Sequence, residues 1–119
     1  MSEPNKSNFN IIIQEIIKKS LFTERQIEII LKQKKVLDVE FGVSRGAYYR
    51  QVAQSWSKVE SVYYTLILLQ AYDVILPDSD VISRLAEQLN VMKDGDYAPE
   101  NERQIVDVIQ KAVKQLVNM

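Results

Sequence analysis

Residues 42–72, GVSRGAYYRQVAQSWSKVESVYYTLILLQAY, contain a turn, a helix cap and then a long stretch without proline. Gly42 tolerates the backbone of a tight junction between helices, and the Ser44 hydroxyl can accept a hydrogen bond from the first free N–H groups of a helix. Between Ser44 and Tyr72 the only glycine is Gly46, which lies in the first turn. The stretch therefore predicts one long helix from residue 45 to about residue 72. A break at residues 55–57 is the alternative.

The predicted long helix has an apolar seam along one side. At 100° per residue this seam consists of Tyr49, Val52, Trp56, Val59, Tyr63 and Leu66. The opposite face is polar and consists of Arg50, Gln51, Gln54, Lys58 and Ser61. We therefore expect Trp56 in the core. From Tyr64 onward the helix is apolar all round, which predicts burial on every side.

Four further segments carry apolar residues at helical spacing, namely residues 9–21, 27–31, 81–89 and 105–116. The first helix is predicted from about residue 8 to residue 20, with Ser7 or Asn8 as its cap. Thr23 and Gln26 predict a capping box for a second helix that begins at Glu24 and ends near Lys34 and Lys35. Pro99 suits the first turn of the last helix.

The connections between these helices are less regular. Residues 36–41, VLDVEF, fit either a short helix or an extended turn, and we favour the short helix. Pro77 with Asp78 and Asp80 predicts a break and a capped restart, and residues 93–96 predict a loop. The pairs Asp78 and Asp80, and Asp94 and Asp96, have the spacing of calcium ligands. Both lack the later ligands of such a loop, so we interpret them as caps and turns.

Composition favours an all-α protein. The chain has 119 residues, 46% of them hydrophobic, which suits a single helical domain over residues 1–119. It has only three glycines and three prolines, which disfavours turn-rich β architectures, so we expect four to six helices and no sheet. Cysteine and histidine are absent, which excludes disulfides, most zinc sites and Cys–His or histidine-based catalysis. We expect no cofactor, no metal and no enzymatic activity.

Charge is unevenly distributed along the chain. The net charge is −1. Residues 1–70 carry ten basic and seven acidic side chains, whereas residues 71–119 carry five and nine. Residues 44–58 contain Arg45, Arg50 and Lys58 and no acidic side chain. Such a local basic excess is typical of nucleic-acid contact. A signal-peptide layout and a membrane-spanning apolar run are not found, so a cytoplasmic protein is expected.

Two motifs carry a resemblance to a known family. GVSRGAYYRQV at residues 42–52 resembles the turn and recognition helix of helix-turn-helix regulators, and FTERQ at residues 22–26 resembles the opening of the same unit in bacterial sigma factors and related activators. The resemblance covers residues 22–56. It implies a DNA-binding unit at residues 22–58, with residues 59–119 as scaffold and dimerisation helices. Asp38 departs from the family, which places a small residue there, so residues 36–41 can also follow an irregular path.

The resemblance makes double-stranded DNA the expected partner. A recognition helix presents polar side chains from its N-terminal half to the major groove. The candidate DNA-binding residues are Ser44, Arg45, Tyr48, Arg50, Gln51, Gln54 and Lys58. The structural alternative is that these side chains are the solvated face of an amphipathic helix. The second tyrosine of the pair Tyr48 and Tyr49 lies on the seam, so only Tyr48 is assigned toward DNA.

Two functions of different classes remain. We favour a sequence-specific, double-stranded DNA-binding transcriptional regulator that acts as a homodimer, since such regulators usually contact two half-sites by two-fold symmetry. The alternative is a helical protein–protein interaction or assembly module with no nucleic-acid binding. Its candidate surfaces are the long helix and the helix around residues 105–116. The sequence does not specify an operator, an effector or the direction of regulation.

Overall fold

The computed structural model describes residues 7–75 and 80–118. Within these ranges it contains five helices and no strand, namely α1 (Ile11–Lys19), α2 (Glu24–Gln33), α3 (Arg45–Ala71), α4 (Val81–Met92) and α5 (Pro99–Val117). The all-α prediction is confirmed. None of the described helices combines the length and the apolar character needed to cross a bilayer.

The helices fall into two compact units. Among the described residues, the first contains residues 7–20 and 80–118, and the second contains residues 21–75. The organisation of residues 1–119 as a single domain therefore stays a prediction.

In the first unit, α1 packs against α5 and buries Ile12 and Ile17. Asn10 caps α1, since its side-chain oxygen accepts a 3.0 Å hydrogen bond from the N–H of Ile13. The Asn10 amide also donates to the carbonyls of Met92 at 2.8 Å and Gly95 at 3.0 Å. The predicted start near residue 8 was wrong, because Asn10 and neither Ser7 nor Asn8 holds the cap position.

The last two helices begin differently from each other. Asp80 stands at the N-cap position of α4 without a capping hydrogen bond, and its carboxylate instead accepts from Arg84 Nη2 at 2.9 Å. Pro77 and Asp78 of the predicted break lie outside the described residues. Pro99 is the first residue of α5, as expected, and acidic side chains follow in the first turn, where the helix dipole favours them.

In the second unit, α2 packs against α3. The predicted capping box is confirmed, because Thr23 Oγ1 accepts from the N–H of Gln26 at 3.2 Å and Gln26 Oε1 accepts from the N–H of Thr23 at 2.9 Å. Ile29 of α2 and Ser55 of α3 are fully buried. The Ser55 hydroxyl donates to the carbonyl of Gln51 at 2.8 Å, which satisfies a buried polar group within its own helix.

The long helix α3 is continuous through residues 55–57. Its predicted burial from Tyr64 onward was wrong, since Tyr64 is 67% exposed, and Trp56, expected in the core, is 36% exposed. Helix length explains the difference. The ten residues of α2 extend about 15 Å at 1.5 Å per residue, against about 40 Å for the 27 residues of α3. A single short partner cannot cover α3 along its whole length.

Residues 36–41 do not form the short helix that we favoured and follow the extended alternative. The helix α2 ends because Lys35 adopts a left-handed conformation with φ of 60°. The N–H of Val36 then returns to the carbonyl of Leu31 at 2.9 Å, as in the hydrogen-bonded helix ends usually formed with glycine. The left-handed Lys35 turns the chain away from the helix, so α2 does not continue into residues 36–41.

Candidate nucleic-acid interface

The candidate site is the N-terminal half of α3 with the α2 surface beside it. Ser44 caps α3, since its hydroxyl oxygen accepts from the N–H of Ala47 at 3.2 Å. The cap fixes the start of the helix immediately after Gly42 and Val43, as the sequence predicted. The three exposed candidate side chains that follow are Arg45, Arg50 and Gln54.

These three side chains do not all point the same way. Arg50 and Gln54 are four residues apart and differ by about 40° around the helix, so they lie on one side. Arg45 and Arg50 differ by about 140°, so Arg45 projects from a different side of α3. Arg50 and Gln54 therefore form one polar pair, with Arg45 separate at the helix start.

Lys58 faces α2. Its Nζ donates to Gln26 Oε1 at 3.1 Å and lies 5.6 Å from the centre of the Phe22 ring. A row of residues four apart drifts by about 40° per step, so Lys58 lies about 80° from Arg50 and reaches the side that packs on α2. The sequence grouped Lys58 with the exposed polar face, whereas the structure joins it to the capping box of α2.

Tyr48 and Gln51 also face inward. The Tyr48 hydroxyl accepts from Gln33 Nε2 at 2.6 Å, and its ring stacks on Phe41 with 5.9 Å between centroids. Gln51 is half-buried, and no described residue donates to its buried Oε1. Tyr48 thus serves the packing of α3 against α2 and the connection between the two helices.

Phe41 is the organising residue of this region, and sequence reasoning missed it. The Arg25 guanidinium lies 4.6 Å from the centre of its ring and Lys32 Nζ lies 5.4 Å from it. Lys32 Nζ also lies 5.4 Å from the centre of the Tyr48 ring and donates to the carbonyl of Val39 at 2.6 Å. We call Arg25, Lys32, Phe41 and Tyr48 the cation–aromatic cluster. Through these contacts the extended connection at residues 36–41 packs against both α2 and α3.

A partial signal for this cluster was present in the sequence. Arg25 and Lys32 are seven residues apart, so they lie within about 20° of each other on one face of α2. Phe41 is the one aromatic residue between α2 and Gly42. An aromatic ring is a favourable partner for two cations on one helix face.

The lysines at the end of α2 separate into two kinds. Lys32 is half-buried in the cluster, whereas Lys34 and Lys35 are exposed. Within residues 7–75 and 80–118, no group of three or more acidic side chains is arranged to hold a metal ion. The exposed side chains of the site offer hydrogen bonding and positive charge.

Comparison of the chain with protein-family models, curated proteins and solved structures found no match. The helix-turn-helix interpretation therefore rests on the residues of the second unit themselves.

Proposed function

We propose that this protein is a sequence-specific, double-stranded DNA-binding transcriptional regulator that places the N-terminal half of α3 in the major groove. The observation that carries the proposal is the exposed pair Arg50 and Gln54 on a capped helix whose other side packs on α2. An α-helix fits the major groove, where arginine can bond bidentately to guanine and glutamine to adenine.

The distribution of charge also supports placing the N-terminal half of α3 against DNA. From Ser44 to Lys58 the helix carries no acidic side chain that would repel phosphate. Lys34 and Lys35 are exposed at the end of α2 and are the proposed contacts to the DNA backbone. Arg45 stands on a different side from Arg50, so we assign it to a phosphate and not to the same base step. Tyr48 and Lys58 hold α3 in place in this proposal, and half-buried Gln51 is assigned no DNA contact.

In this proposal the regulator is cytoplasmic and acts as a homodimer. Two copies related by two-fold symmetry would contact two half-sites. No effector is assigned.

The decisive experiment is a salt titration of binding to a mixed-sequence duplex, followed by anisotropy of the labelled DNA. Phosphate contacts give a linear fall of log K with log salt, with a slope of about −0.9 per contact. Selection from a random duplex pool then supplies the preferred sequence. On that sequence Arg50→Ala and Gln54→Ala should each cost about 1–3 kcal/mol.

Arg103→Ala is the matched control, because Arg103 is an exposed helical arginine of the other unit. It should bind like the wild type. An absence of salt-sensitive binding by the wild type, or equal affinities for Arg50→Ala, Gln54→Ala and Arg103→Ala, contradicts the proposal.

The second candidate function is an interaction module that binds other proteins and no nucleic acid. The observation that favours it is the exposed apolar surface of the second half of α3, which includes Tyr63, Tyr64 and Ile67. Exposed Val108, Val113 and Val117 on α5 offer a smaller surface. This function gains support if the salt titration detects no binding.

A further inference from the structure

The second half of α3 carries no charge. Residues 61–72, SVYYTLILLQAY, contain neither an acidic nor a basic side chain, and Glu60 and Asp73 bound the segment. The described hydrogen bonds of its side chains are both made to carbonyls of the same helix. The Ser61 hydroxyl donates to the carbonyl of Ser57, and the Thr65 hydroxyl donates to the carbonyl of Ser61. The segment carries no charge that would attract an oppositely charged partner.

The apolar side chains of this segment divide into two arcs at 100° per residue. The half-buried arc is about 60° wide and consists of Val62, Leu66 and Leu69. The exposed arc is about 140° wide, lies on the opposite side and consists of Tyr63, Tyr64, Ile67 and Leu68. Their exposed fractions are 65%, 67%, 65% and 57%. We call these four residues the exposed arc.

We propose that the exposed arc is the surface on which a second copy of this chain docks, with the two α3 helices crossing near residue 66. The inference rests on the proposed dimeric function and specifies where the two copies meet. An uncharged surface is compatible with its own copy, because two-fold symmetry brings no like charges together across it.

The size of the surface suits a dimer. With about 150–250 Å² for a whole aromatic side chain, the exposed arc and the adjacent Tyr72 present roughly 600 Å² per copy. Complete burial of this surface in two copies would amount to about 1,200 Å², so the surface at most reaches the lower limit of specific interfaces. Contiguous exposed apolar patches of several hundred Å² on soluble proteins commonly mark interaction sites.

The interface also constrains the proposed half-site contact. Position 66 lies about 24 Å along the helix axis from Arg50 at 1.5 Å per residue. Arg50 residues one turn of B-DNA apart, about 34 Å, would require the two α3 helices to cross near position 66 at about 90°.

Sedimentation equilibrium of the full chain tests the interface. The wild type should be a dimer at tens of micromolar, and Ile67→Glu should raise the dimer Kd by at least about 100-fold, because it buries an unpaired carboxylate in the interface. Val91→Glu is the matched control, since Val91 is a branched apolar residue of α4 that is 81% exposed. It should leave the dimer Kd within about twofold.

Cross-linking keeps the test valid if Ile67→Glu fails to fold. The chain has no cysteine, so a single Ile67→Cys variant with a short bismaleimide reports contact between copies. It should cross-link efficiently, whereas Val91→Cys on α4, at a side chain that is 81% exposed, should not. A monomeric wild type overturns the proposal. A dimer equally stable in Ile67→Glu, or equal cross-linking at positions 67 and 91, also overturns it.

These outcomes separate the interface from DNA binding. Loss of the dimer in Ile67→Glu without any salt-sensitive DNA binding leaves the interface and contradicts the regulator. Salt-sensitive binding by a strictly monomeric wild type leaves the DNA contact and contradicts the interface.

Discussion

Replacing Phe41 by alanine should release the extended connection between α2 and α3. Phe41 is half-buried and contacts Arg25, Lys32 and Tyr48 in the cation–aromatic cluster. Truncation of a fully buried phenylalanine costs about 3–5 kcal/mol, and a half-buried ring should lose about half of that. Each exposed cation–π contact adds about 0.5–1 kcal/mol. Because these terms overlap, we expect about 2 kcal/mol for local opening of the connection.

Amide hydrogen exchange measures this opening directly. The N–H groups of Val36 and Leu37 both donate to the carbonyl of Leu31, at 2.9 and 3.3 Å, and report on the start of the connection. A loss of about 2 kcal/mol corresponds to roughly 30-fold faster exchange at these two amides. Phe41→Leu keeps the apolar volume but loses the ring contacts, so its exchange should lie between wild type and Phe41→Ala.

Val43→Ala is the matched control, because Val43 lies two residues away in the same segment and is 40% exposed. It should change exchange at Val36 and Leu37 by less than about threefold, in keeping with a surface substitution of at most about 0.5 kcal/mol. Equal exchange rates in Phe41→Ala and Val43→Ala would refute the role of the cluster. Faster exchange throughout α3 in Phe41→Ala would show instead that the ring stabilises the whole unit.

Three further substitutions test the packing of the units. Gly95→Ala should destabilise by about 1 kcal/mol or less in thermal denaturation, because the added methyl group meets only the tip of the Tyr97 side chain, which must shift, whereas Gly42→Ala, with open space around it, should not destabilise. Asn10→Ala should lower the free energy of unfolding by about 2 kcal/mol in urea, since it removes a helix cap and two hydrogen bonds. Ser55→Leu should cost about 1–3 kcal/mol, because it overpacks a fully buried site facing α2.

The controls for these substitutions use similar residues elsewhere. Asn101→Ala, on the exposed surface of α5, should change stability by less than about 0.5 kcal/mol. Ser83→Leu, at an exposed position of α4, is the control for Ser55→Leu and should likewise change stability by less than about 0.5 kcal/mol. An Asn10→Ala variant as stable as Asn101→Ala would contradict the capping role. A Ser55→Leu variant as stable as Ser83→Leu would mean that α2 does not pack closely against α3 at this site.

The elements that the sequence predicted best are those set by local chemistry. Thr23 and Gln26 form their capping box from neighbouring residues, and Pro99 starts α5 because its ring suits a first turn. The start of α1 was misplaced because Asn10 gains its advantage from Met92 and Gly95, more than 80 residues away in the chain. Such long-range partners leave no trace in a local pattern.

The candidate site was partly predictable for the same reason. Periodicity identified the polar face with Arg50 and Gln54, but it did not place Lys58, whose small angular drift carries it onto Gln26. Hydrophobicity around Tyr64 indicated apolar surface without indicating whether anything covers it. The packing of Phe41 depends on where an irregular segment runs, which neither periodicity nor propensity specifies.

Because α3 is one continuous helix, a tilt at one of its ends displaces the other end. Arg45 and Ile67 lie on one uninterrupted helix, about 33 Å apart along its axis at 1.5 Å per residue. A rotation of about 10° at the far end would displace the N-terminus by about 6 Å, nearly two base-pair steps of about 3.4 Å. Any contact that alters the tilt of residues 61–71 would therefore displace Arg45 and Arg50 without any change in these two side chains.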